Sequence, residues 1–249
     1  MTRIDDDEFV CIDCEMTGLD FEKDRIIEVA FVRYRGKDIL EAWESLIDPE
    51  MEIPESSIAI HKITQDMVQG KPKIADVLQE LLKRIGRHII VGHGVSNDIA
   101  LLVRDAKIAG IPCEAQNNVI IDTLRMARLY GESPINSLEQ LRQHFNIADQ
   151  GKHRAMSDVL VNVQVFQYLS RQYPTTKHLL NVLSKPIPMK VMPLGKHKGR
   201  ALKEIPLEYL RWMANKNFDQ DLLFSIRSEI SRRKKGNLFT QVGNPFSDL

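Results

Sequence analysis

The first patterned stretch, FVCIDCEM (residues 9 to 16), runs β-prone and apolar residues up to the turn residues Thr17 and Gly18. It predicts a buried strand over residues 9 to 15. RIIEVAFVRYR and DILEAWESLID read as two more strands joined by a turn around Gly36, which suggests an antiparallel meander. The period then changes: IADVLQELLKRI has helical spacing, HIIVGH is a short apolar strand, and SNDIALLVRDAKIAG is a helix with Ser96 as its cap and Gly110 as its stop. NVIID is another strand, followed by helices over about 122 to 130, 137 to 145 and 155 to 171. Strands alternating with helices add parallel members to a sheet that began antiparallel, so the fold class is α/β with a mixed sheet.

Beyond residue 174 the pattern loosens. Pro186, Pro188 and Pro193 mark a linker over 175–191 after a large domain at 1–174. A small, mainly helical module follows at 192–236, ending in an amphipathic helix through DQDLLFSIRSEISRRKK, and 237–249 is a tail.

The opening strand carries two competing chemistries. Cys11 and Cys14 form a C-x-x-C, the spacing of a redox pair or half a zinc site, while Asp13 and Glu15 are a carboxylate pair. Side chains alternate faces along a strand, so Phe9, Cys11, Asp13 and Glu15 point one way and Val10, Ile12 and Cys14 the other. Two cysteines on opposite faces cannot share a tetrahedral metal, and they read as small buried hydrophobes. Two carboxylates on one face of an apolar strand repel and lose hydration, which costs several kcal/mol unless a cation neutralises them. Oxygen ligands of this kind suit Mg²⁺ or Mn²⁺. A lone D-x-E is also common on strand surfaces and needs partners elsewhere in the chain.

Charge sharpens the picture. The net charge is zero, but residues 185 to 249 carry 13 Lys+Arg against 6 Asp+Glu and residues 1 to 184 carry 21 against 28. A basic end on an acidic body fits a polyanionic partner held beside a metal-seeking site, or a solvated charged surface. Three cysteines without a framework spacing, an acidic start (MTRIDDDEFV) and the lack of any membrane-length apolar run suggest a cytoplasmic protein with no membrane partner.

Two further acids stand where a metal centre at a sheet edge needs them. Asp98 follows HIIVGH in the first turn of its helix, and Asp158 in HRAMSD opens another. Either alone also fits a carboxylate at the positive end of a helix. DCEMTGLD, VGHGVSNDIALL, IDTL and HRAMSD together resemble, in order and approximate spacing, the DEDDh (DnaQ-like) exonucleases that include the proofreading epsilon subunit of DNA polymerase III. The resemblance covers about residues 8 to 172. It implies a ribonuclease H-like mixed sheet flanked by helices and a 3′-to-5′ exonuclease releasing nucleoside 5′-monophosphates from DNA.

Residue by residue, the resemblance makes Asp13 a bridge between two divalent cations. Glu15 and Asp158 then hold the ion that binds the attacking water, Asp98 sits on the second ion's side, and His153 is the general base. Gly151 would give the base loop freedom to close. Thr17, Gly18 and Leu19 match the segment that meets the terminal nucleotide, and His61 matches a base-wedging histidine, with plain surface exposure as its alternative. Asp122 reads as a helix cap and His93 as a hydrogen-bonded imidazole. Where relatives read H-N-A-x-F-D, this chain has HGVSND, with Gly94 replacing an asparagine and Asn97 an aromatic.

The module MPLGKHKGRALKEIPLEYLRWM resembles a small domain of obscure function appended to nucleic-acid enzymes. Lys196, His197, Lys198 and Arg200, with Arg232 to Lys235, are candidates for phosphate tethering, with protein docking as the alternative, while Tyr209 and Trp212 at helical spacing read as core. QVGNPF faintly resembles a sliding-clamp-binding peptide. The expected partners are single-stranded or frayed DNA 3′ ends, with a polymerase or sliding clamp beside them. RNA-directed cleavage and a non-catalytic nucleic-acid-binding scaffold remain alternatives.

Overall fold

The computed structural model describes residues 3–18, 20–132, 136–149 and 154–241, with side chains to 235. It divides into two compact units, Met1–Val182 and Leu183–Leu249.

In the first unit, β1 (Glu8–Met16), β2 (Ile26–Arg35) and β3 (Asp38–Leu46) form the antiparallel meander. Two short helices follow, α1 (Glu55–His61) and α2 (Gln65–Val68), then α3 (Ile74–Ile85). Next come β4 (Ile89–Gly92), α4 (Ser96–Ala109), β5 (Ile120–Asp122), α5 (Thr123–Tyr130), α6 (Leu138–His144), α7 (Ala155–Ser170) and α8 (Thr176–Leu183). The sheet order is β3-β2-β1-β4-β5, with β4 parallel to β1 and β5 parallel to β4. This is the mixed sheet flanked by helices that the pattern predicts. Because β1, β4 and β5 run the same way, their C-terminal ends open on one edge, the usual place for a ligand site in such sheets.

Alternation along β1 sorts the two layers. Val10, Ile12 and Cys14 pack into the cluster formed with Leu78, Leu81 and Ile85 of α3 and Ile99, Leu101 and Leu102 of α4. On the other face the Phe9 ring lies 5.0 Å from that of Phe166 on α7. Beside it, Asn162 Nδ2 of α7 donates to Cys11 Sγ at 3.2 Å. Burial on both faces explains why β1 and β2 read as nearly continuous apolar runs rather than as an alternating pattern.

Three local expectations are corrected. Ser96 is the first helical residue of α4 rather than its cap; Val95 takes that place with no side-chain bond, while Gly110 ends the helix at φ 68° as expected. Segment 175–191, expected as a linker, contains α8, which Thr176 Oγ1 anchors by donating to Asp7 Oδ2 at 2.6 Å. The α1 helix was not foreseen, because it stops on Lys62 in the left-handed region (φ 61°) and no glycine signals its end.

The second unit holds α9 (Leu207–Ala214) and α10 (Gln220–Gln241) around a core of Met192, Leu202, Ile205, Leu210, Met213, Leu222 and Ile226. Residues 187 to 189 belong to it. Ile187 N donates to the buried Asp221 at 2.9 Å and Met189 N to Ser225 Oγ at 2.8 Å. Among the described residues no helix is long and apolar enough to cross a membrane.

Candidate active site

Asp13 and Glu15 project from β1 toward α7, past Cys11, the last residue of β1 to pair with β4. Asp158 stands in the first turn of α7, and one carboxylate oxygen from each of Asp13, Glu15 and Asp158 lies within 4.8 Å of the others. Asp98 reaches in from the first turn of α4, where its Oδ1 accepts from the backbone N–H of Cys14 at 3.2 Å, between the two β1 acids. Four carboxylates from three elements, β1, α4 and α7, thus converge on the open edge of the sheet.

Their proton affinities record the crowding. Lost hydration, then the charges of Asp98, Glu15 and Asp158, push Asp13 well above the usual carboxylate range. Lost hydration with Asp158, Glu28 and Asp98 raises Glu15 to about 8, against a smaller opposing pull from Arg154. Asp98 rises to about 7 because lost hydration outweighs its bonds to its own N–H and that of Cys14. Such a trio is unfavourable as a bare cluster and favourable around a hard divalent ion with oxygen ligands. The donor set fits a divalent cation.

Sequence reasoning missed the residue that frames this cluster. Glu28 on β2 stands directly opposite Glu15 and is buried. Its carboxylate accepts from Arg154 Nε at 3.0 and 3.1 Å, from Arg154 Nη2 at 2.6 Å, and from Ala155 N at 2.9 Å. Glu28 therefore caps the start of α7 from across the sheet and places Asp158 one turn further on. The signal was visible only as a lone acid inside RIIEVAFVRYR facing an arginine in HRAMSD.

A second set of bonds ties the strand ends together. Asp122 Oδ1 accepts from Leu124 N at 2.8 Å, capping α5 as expected, and from Gly94 N at 2.9 Å. Gly94 has φ 75°, a left-handed backbone that glycine adopts freely and that asparagine, the residue the resemblance leads one to expect here, tolerates better than most. His93 Nδ1 lies 3.1 Å from Thr123 Oγ1, and Thr123 Oγ1 donates to Asn162 Oδ1 at 2.6 Å. Burial lowers the basicity of His93. Cys11 and Cys14 are buried free thiols on opposite faces, and burial pushes both above the usual thiol range.

The remaining expected residues separate. Thr17 is buried, and its hydroxyl donates to Asp24 Oδ1 at 2.8 Å and accepts from Arg25 N at 3.0 Å, so the side chain is committed to its own loop. A Cβ on Gly18 would lie 2.4 Å from Asp24 Oδ2, which explains the glycine. Ser57 Oγ of α1 donates to Thr17 O at 2.6 Å and braces the loop. His61 is buried, contrary to the surface alternative, and its Nδ1 accepts from Ile63 N at 3.0 Å. Asn97, Lys196, Lys198 and Arg200 are exposed. His153, Gly151, Leu19 and most of QVGNPF lie outside the described residues.

A 3-2-1-4-5 mixed sheet with acids gathered at the C-terminal end of its central strand defines a ribonuclease H-like enzyme. Residues 10–166 match the RNase T exonuclease family, and the chain belongs to that family. It is 35% identical over 162 residues to the DNA polymerase III subunit epsilon of Aquifex aeolicus, a match covering 65% of this chain and 79% of that one. It is also 29% identical over 164 residues to the PolC-type DNA polymerase III of Clostridium perfringens, covering 66% of this chain. The chain spans only 11% of that polymerase's length. E. coli Exonuclease I in complex with a dA16 oligonucleotide shares the fold, with a TM-score of 0.62 at 19% identity over 72% of this chain and 43% of that one. Residues 178–226 match a second family, described as "Putative quorum-sensing-regulated virulence factor".

Proposed function

We propose that this exonuclease-family enzyme is a metal-dependent 3′-to-5′ exonuclease that removes nucleoside 5′-monophosphates from DNA 3′ ends in proofreading or repair in the cytoplasm. The observation that carries it is the convergence of Asp13, Glu15 and Asp158 within 4.8 Å, with Asp98 hydrogen-bonded between the first two. Asp13, Glu15 and Asp158 are suited to one divalent cation, Mg²⁺ or Mn²⁺, and Asp13 with Asp98 to a second. Bound there, the ions would supply Lewis acidity at the scissile phosphorus and neutralise charge on the attacking and leaving oxygens.

The chain's own groups do the rest. His153, five residues before Asp158 in the sequence, takes the proton of the attacking water at an imidazole nitrogen, a role suited to a side chain that gains and loses its proton near neutral pH. The Glu28–Arg154 clamp holds the start of α7 so that Asp158 stays with Asp13 and Glu15. The loop from Thr17, braced by Asp24 and Ser57, offers backbone and shape rather than the Thr17 hydroxyl to the terminal nucleotide. The relatives are a DNA polymerase III subunit epsilon and a PolC-type DNA polymerase III, which favours DNA as substrate and a polymerase as partner; a sliding clamp rests on the faint resemblance of QVGNPF alone.

The test is degradation of 5′-labelled DNA and RNA oligonucleotides of one sequence, with matched and mismatched 3′ ends, in Mg²⁺ or Mn²⁺. Stepwise shortening of DNA with release of 5′-monophosphates is expected. Faster loss of RNA would transfer the assignment to an RNA-directed enzyme. Equal inertness of wild type and Asp13→Ala on both substrates would leave a non-catalytic scaffold.

A further inference from the structure

The second unit carries an arrangement that the acid cluster does not use. In α9 the expected core residue Trp212 is instead 52% exposed, and its ring lies 5.5 Å from that of Tyr209. Tyr209 in turn meets His197 edge-on at 4.5 Å. A cation stands at each end of this row: Lys216 Nζ lies 5.5 Å from the centroid of Trp212, and Arg200 Nη1 lies 3.4 Å from His197 Nδ1. Lys196 and Lys198 flank His197 and are exposed. Gly195 makes the close approach possible, because at φ 70° a Cβ there would stand 3.1 Å from the Tyr209 hydroxyl.

The charge around the row is not balanced locally. Several acids of this unit are engaged within it. Asp221 is buried against Ile187 N, Asp219 accepts from the N–H groups of Asp221 and Leu222, Glu229 pairs with Arg232 and Arg233, and Glu208 pairs with Arg211. Among the described residues Lys196, Lys198 and Lys216 make no ion pair with an acid. An indole left half in water beside unpaired ammonium groups has the two elements that bind single strands without sequence preference, a stacking platform and a positive track for phosphates.

We propose that this row is a second, sequence-tolerant binding site for single-stranded nucleic acid, with a base stacked on Trp212 and phosphates held by Lys196, Lys198 and Lys216. The site is separate from the nuclease assignment, and its test needs no cleavage. Full-length protein in EDTA is titrated with a labelled oligothymidylate of about 20 nucleotides, following anisotropy and intrinsic tryptophan fluorescence. Quenching of wild-type fluorescence that Trp212→Phe abolishes, together with an affinity that Trp212→Ala lowers about tenfold, is the expected result. Replacing Lys196 and Lys198 together by alanine should reduce the slope of log affinity against log salt by about 1.4. Identical melting curves for all variants verify folding. Unchanged quenching, affinity and salt slope in the variants overturn the proposal and assign the exposed indole to a protein partner.

Discussion

Arg154 lies across the carboxylate of Glu28, its Nε 3.0 and 3.1 Å from the two oxygens and its Nη2 2.6 Å from one of them. The pair joins residues 126 positions apart and does two things at once. It gives the buried Glu28 a counter-charge, and it sets where α7 begins. Since Glu28 faces Glu15 across the strand pair, the same guanidinium also offsets part of the repulsion on Glu15.

Arg154→Ala should therefore act on stability and on the metal site together. Truncating one partner of a fully buried pair costs roughly 3–5 kcal/mol. The Arg154 side chain is 39% exposed, so a loss of about 2 kcal/mol is expected, lowering the melting temperature by about 4–8 °C. Mn²⁺ affinity near pH 7 should also fall, because Glu15 loses the charge that favours its ionised form. Thermal melts and metal titrations check this; a variant matching wild type in both removes the clamp from the account.

Asp13→Ala separates function from folding. Activity should drop by about 10³-fold or more, since several kcal/mol of transition-state charge stabilisation depends on the site it anchors. The metal-free protein should melt slightly higher than wild type, because one of the mutually repelling acids is gone. Oligonucleotide turnover and calorimetry in EDTA measure the two effects. Residual turnover close to wild type would detach the acid cluster from catalysis.

How much of this was legible in the sequence depended on the range of the interaction. Strand alternation sufficed to set Asp13 and Glu15 on one face and to part Cys11 from Cys14, because a period of two needs only neighbouring residues. Asp98 and Asp158 were placed through helix starts, that of Asp98 directly after a strand. Glu28 was not, because β2 is buried on both faces and its one acid finds meaning only against Arg154. Helix α1 lacked a glycine stop. Trp212 was misplaced for another reason: helical spacing gives a shared face with Tyr209, but it does not say whether anything covers that face.

His153→Ala tests the base. Turnover should fall by about 10²- to 10⁴-fold while Mn²⁺ affinity stays within about twofold of wild type. The acidic limb of the rate profile, where a protonated base halts turnover, should also vanish. A variant that keeps both its rate and its pH profile excludes the imidazole as proton acceptor.

The acid cluster makes stability depend on pH in a direction that metal reverses. Glu15 titrates near 4.5 when unfolded and at about 8 in the folded, metal-free chain, and Asp98 moves from 3.8 to about 7. Between those values the folded state binds more protons than the unfolded one, so the slope of unfolding free energy with pH is negative. The contribution is fully present below about pH 4 and is lost as pH rises through 7 to 8. Melting temperature in EDTA should thus fall across this window. Asp13→Ala should flatten the fall, since it removes a charge that crowds the others. A divalent cation binds the ionised carboxylates and releases their protons, so its affinity and its stabilising effect should both grow from pH 5 to 8. Melts at fixed ionic strength, with EDTA and with Mn²⁺, measure both trends; parallel pH curves under the two conditions would show that these four acids do not share a cation.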